Sequence, residues 1–100
     1  MTAKQEPLQV SLVAFPEGVV STLMGIYDVL NSFGMLARLD SAIPDDPPFR
    51  VEIVGARRGP VVLASGMSVE VARAVDEIAK TDIVIVPSVV LGAEGWPAGR

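Results

Sequence analysis

Hydrophobic positions change their spacing several times along this chain, and each change marks an element. Leu8-Gln-Val-Ser-Leu-Val-Ala-Phe15 alternates, with Val10, Leu12 and Ala14 on one side and a mixed, uncharged side opposite. That alternation predicts a strand. Pro16-Glu17-Gly18 then breaks the chain. From about Val20 the period lengthens: Leu23, Ile26, Tyr27 and Leu30 follow the i, i+3, i+4, i+7 rule of an amphipathic helix. Ser21 or Thr22 is placed to cap its start, and Gly34 to end it in a left-handed C-cap. A short helical extension to Leu39 is compatible with the pattern. Residues Leu36–Pro48 otherwise hold Asp45-Asp46 and three prolines, which reads as loop.

Phe49-Arg-Val-Glu-Ile-Val54 predicts a second strand, closed by Gly55. Arg57-Arg58-Gly59-Pro60 is a turn, and Val61–Leu63 and Met67–Val71 are short strands around a turn at Ser65-Gly66. Ala72–Lys80 reads as a short helix, or a helical turn with a weak start. Asp82-Ile-Val-Ile-Val-Pro87 is continuously apolar, as expected of a strand covered on both faces of a parallel sheet. Residues 88–100 hold three glycines and Trp96 and read as loop. Strands alternating with helices imply an α/β fold, a mostly parallel sheet flanked by helices. The strongest strand is followed by loop rather than helix. The expectation is therefore that residues 1–100 form the N-terminal half of a larger domain.

Composition narrows the chemistry. The chain has 100 residues, half of them hydrophobic, and a formal net charge of −4. The apolar half excludes intrinsic disorder. Neither cysteine nor histidine occurs. Disulfides, thiolate or imidazole metal sites and a cysteine nucleophile are thus excluded from these residues. The acidic balance argues against nucleic-acid binding by this segment, which needs clustered cations. The longest uncharged runs, Gly59–Val69 and Ile83–Ala93, are 11 residues each, short of the roughly 20 that span a bilayer. Met1–Pro7 has no apolar signal core. A cytoplasmic location, no membrane partner and no cofactor are the default expectations.

The ordered segments also resemble a known superfamily. Pro16-Glu-Gly-Val-Val-Ser-Thr-Leu-Met-Gly-Ile-Tyr-Asp-Val-Leu-Asn-Ser-Phe-Gly34 is similar to the first strand–helix unit of the ThiJ/PfpI superfamily. Thr81-Asp-Ile-Val-Ile-Val-Pro-Ser88 is similar to its Asp-hydrophobic-Pro-Gly segment, and Phe49–Gly55 fits between them. The likeness is nearest to the amidase-like N-terminal domain of AraC-family (GlxA-type) transcriptional regulators. It implies a class I glutamine amidotransferase-like, flavodoxin-type fold. It also implies that a nucleophile elbow and any helix-turn-helix domain lie beyond residue 100.

Two candidate sites follow. Ligands of open α/β sheets bind beyond the carboxyl ends of the strands, where Glu17, Gly18 and Thr22 fall. The resemblance places a carboxylate at the Thr22 position in the enzymes. A threonine hydroxyl cannot act as acid or base near neutral pH, which favours a sensor. The plain reading of Thr22 is an N-cap, and of Glu17 an exposed turn residue. The second site is the loop at Ser88 and Val89, where the family commonly has glycine. Its plain reading is a simple strand exit. Gly25, inside the helix, asks for close approach of another backbone, either the sheet or a partner's helix. Arg57-Arg58 reads as a solvated turn, Asp45-Asp46 as a solvated loop, Met24, Met35 and Met67 as core or interface, and Tyr27 as core with its hydroxyl at the edge.

The leading expectation is a non-catalytic, ligand-sensing and dimerisation domain of an AraC-type regulator. Its effector would be a small polar or nitrogen-containing metabolite, its partner a second copy, and its DNA contact made only by a downstream domain. The alternatives are a stand-alone ThiJ/PfpI-type hydrolase or hydratase with a downstream cysteine, and a complete small interaction domain.

Overall fold

Two helices and a hairpin are arranged around a short parallel sheet in the computed structural model, which describes residues 6–91. Strand β1 is Leu8–Val13, followed by helices α1, Val20–Leu30, and α2, Ser32–Leu39. Strand β2 is Phe49–Gly55. Strands β3, Gly59–Val62, and β4, Ser68–Val71, form an antiparallel hairpin. Strand β5 is Arg73–Ala74, a 3₁₀ turn spans Val75–Glu77, and β6 is Ile83–Ile85. The four-stranded sheet has the order β5-β2-β1-β6, all parallel. The α/β class and parallel sheet expected from the alternation are present.

The register explains the core. Val10 sits opposite Val51 on one side and Ile83 on the other, and Leu12 opposite Ile53 and Ile85. Alternation therefore puts these side chains on one face. Leu12 and Ala14 join Leu23 of α1 and Leu63, Val69 and Val71 of the hairpin region in one buried cluster, with Val20, Met24 and Ile26 packed against it. The opposite face is held by polar pairs: Ser11 Oγ lies 2.9 Å from Thr81 Oγ1, and the Arg73 guanidinium binds Glu52 at 2.7–3.0 Å.

Several local expectations are corrected. Helix α1 starts with Val19 as N-cap and no side-chain cap, so neither Ser21 nor Thr22 caps it. Thr22 lies inside the first turn, and its hydroxyl donates back to the Val19 carbonyl at 3.0 Å. Gly34 ends nothing; it lies within α2 and has no positive φ. The break falls at Asn31, whose Nδ2 donates to the Tyr27 carbonyl, and Ser32 donates to Val29. Gly25 has nothing of its own chain within 4 Å of where a Cβ would stand, so the sheet does not approach it. Tyr27, expected in the core with its hydroxyl at the edge, is exposed, and so are Met35 and Met67, which leaves them the interface alternative.

Of Ala72–Lys80, only the 3₁₀ turn Val75–Glu77 is helical; Arg73–Ala74 is strand. The Ala72 amide donates to the Ile53 carbonyl, and the Arg73–Glu52 pair holds the chain extended along β2. The final strand is shorter than its apolar run. Only Ile83–Ile85 pair, with β1 alone, and Val84 is 59% exposed. Among the described residues it is an edge, not a covered interior strand. Trp96 lies outside the described residues.

Candidate functional site

The chain leaves β1 toward β2 on one side and returns to β6 on the other. The order therefore reverses at β1, and the crevice beyond β1 and β6 is the switch point of the sheet. The structure brings Glu17, Gly18, Thr22, Ser88 and Val89 together there. Gly18 and Val89 form an antiparallel bridge. The Val19 amide donates to the Ser88 carbonyl at 2.9 Å, and the Val90 amide to the Glu17 carbonyl at 2.7 Å. The Gly18 amide is bound to Phe15, and its carbonyl accepts from Ala64. Gly18 is buried, and a Cβ on it would stand 3.0 Å from the Phe15 carbonyl oxygen. Close approach of the backbone favours glycine here.

These backbone groups are spent on one another, tying the turn after β1, the loop after β6 and the hairpin. The Thr22 hydroxyl is spent on Val19. Ser88 is exposed, while Glu17, Thr22 and Val89 are half-buried.

An open cavity of about 560 Å³ lies on the other side of β1, at the carboxyl ends of β1 and β2. Its walls come from Val13–Pro16 after β1, from Gly55–Arg58 after β2, and from Val61, Val71 and Val75. None of the five residues above lines it. Gly55 forms a close contact at its base: a Cβ there would stand 3.2 Å from both the Ala14 oxygen and Val71 Cγ2. The turn after β2 is tight, with Gly59 at φ +104°.

Among the described residues, Arg57 and Arg58 are the only side chains lining this cavity that carry polar groups. Arg58 Nε donates to both oxygens of Glu77, at 2.7 and 2.9 Å. Glu77 also accepts the Ala74 amide at 2.8 Å. The Arg58 bond, then the Ala74 amide, hold the Glu77 carboxyl below its ordinary value. Arg58 is raised, chiefly by the same bond. Arg57 has no side-chain partner among the described residues.

Arg57-Arg58, expected as a solvated turn, is exposed at both residues, and its place directly after a parallel strand's carboxyl end also sets it beside the cavity. A second cavity of about 580 Å³ is lined by Arg50, Arg73 and Lys80 and by Glu52 and Glu70, with Arg73 and Glu52 paired. Among the described residues no cluster of acidic side chains is arranged to hold a metal ion. No described helix is long and apolar enough to cross a membrane.

No family model matches the sequence, and no curated protein matches it either. Solved structures do. One is a protein from Vibrio parahaemolyticus assigned as a transcriptional regulator, with a TM-score of 0.60 and 18% identity, over 85% of this chain and 41% of that one. Another is an AraC family transcriptional regulator from Pseudomonas putida, with a TM-score of 0.63 and 18% identity, over 91% of this chain and 52% of that one. The chain thus spans about half or less of the structures it matches, and it has the α/β fold found in these bacterial transcriptional regulators.

Proposed function

We propose that this chain is the N-terminal part of a ligand-sensing and dimerisation domain of an AraC-type transcriptional regulator, in the ThiJ/PfpI superfamily. The observation that carries the reading is the fold shared with two regulators over 85% and 91% of the chain. The ordered motifs from Pro16 to Gly34 and Thr81 to Ser88 point the same way.

A sensor is favoured over an enzyme by Thr22. It stands where the resemblance expects a carboxylate, and its hydroxyl is already bound to the backbone. Val29, Met35, Leu36 and Leu39, exposed on α1 and α2, supply apolar surface for pairing two copies. Regulation then works by unequal effector affinity for two states of the dimer.

The test is selection of DNA duplexes from a random pool by the full-length product of the reading frame. Recovery of a defined sequence, bound through a domain after residue 100, is the expected outcome. A product with no such domain, or one that hydrolyses substrate through a downstream cysteine, overturns the reading.

A further inference from the structure

The cavity beyond β1 and β2 limits what can occupy it. Its volume, about 560 Å³, falls within the roughly 300–1,000 Å³ of small-molecule sites. Val13, Phe15, Pro16, Val61, Val71 and Val75 give it apolar walls. Among the described residues no hydroxyl, amide or carboxylate side chain lines it, so a polyhydroxylated body would leave its own polar groups unsatisfied. An ammonium group would meet only arginines. Arg58 is neutralised by Glu77, whereas Arg57 has no side-chain partner among the described residues. One uncompensated guanidinium beside apolar walls suits one negative charge, and its planar fork suits a carboxylate.

We infer that this cavity binds a small amphipathic monocarboxylate, with an aromatic or branched aliphatic body against the valines and Phe15 and its carboxylate on Arg57. As the effector class of the sensor proposed above, it rests on that reading; as a binding event it is measured separately. Arg57 follows Ala56 directly out of β2. A ligand held there links the sheet to the hairpin that begins at Gly59.

The experiment is calorimetric titration of the full chain with phenylacetate as probe, with melting temperature as a second readout. Phenylacetate binds and raises the Tm, while acetate and 2-phenylethylamine do not. Arg57→Ala weakens phenylacetate by about tenfold or more. Arg57→Gln does the same, keeping most of the stem in case the alanine variant folds poorly. Arg57→Lys falls between them and the parent. Arg38→Ala, an exposed cation in α2, leaves binding unchanged.

Absence of phenylacetate binding, equal binding of 2-phenylethylamine, or undiminished binding to both Arg57→Ala and Arg57→Gln overturns the inference. Loss of the ligand with DNA selection intact removes only the ligand class. Ligand binding without DNA selection removes only the regulator.

Discussion

Glycine serves two different needs at Gly18 and Gly66 and neither at Gly25, and alanine separates the three positions. At Gly18 a Cβ would press on the Phe15 carbonyl oxygen at 3.0 Å, with backbone rather than a movable side chain in the way. Gly18→Ala therefore destabilises by about 1–3 kcal/mol, measured by urea unfolding. At Gly66 the space is open but φ is +93°, so the penalty of a side chain is conformational. At Gly25 neither applies: the residue is exposed in a helix interior with nothing nearby. Gly25→Ala stabilises by about 1 kcal/mol in the same assay. A loss at Gly25 instead would mean that another surface lies against it. Gly25 drew attention in the sequence because helix interiors disfavour glycine, yet the close approach occurs at Gly18. Periodicity reports which face a residue occupies, not what lies across from it.

Strand β1 carries the fold, because it pairs on both edges and supplies Leu12, which is fully buried. Leu12→Ala costs about 2–5 kcal/mol of unfolding free energy. The segment after β4 depends more on electrostatics. Glu77 accepts from Arg58 and from the Ala74 amide, and its carboxyl is held below the ordinary value. The folded chain thus binds this proton less readily than the unfolded chain. The contribution is complete above the unfolded-state pKa and is lost as pH falls through the lower, folded-state one. Unfolding curves of the parent and Glu77→Gln should diverge most near neutrality and converge through the acidic range. Parallel profiles would show that Glu77 does not couple to folding. The same segment shows where local pattern loses to tertiary contact. Ala72–Lys80 has helix-compatible residues, but β2 takes the Ala72 amide and Glu52 takes Arg73.

The arrangement leaves apolar surface at one side. Ile83 and Val84 of β6 and nearby Val86 are exposed, beside an edge with no described partner. Unpaired apolar edges seek further strands. A protein of residues 1–100 alone should self-associate with concentration in analytical ultracentrifugation, and Val84→Lys should reduce this. A monomer at all concentrations would show that other parts of the chain cover the edge. The candidate chemistry divides along the same sheet. The residues gathered at the switch point, Gly18 and Val89 among them, cross-tie the loops. The open volume lies beyond β2, under Arg57.

What the sequence by itself determined was the order of strand and helix, the inward face of β1 and the α/β class. These follow from spacings of two to four residues, which each segment carries within itself. Tertiary structure alone decided that Ala72–Ala74 extends, that β6 is a short edge, and that Arg57 overlooks a cavity. Those outcomes depend on partners far apart in the chain, such as Ser11 and Thr81, 70 residues apart. No local period encodes such a meeting, because it exists only once the sheet has chosen its neighbours.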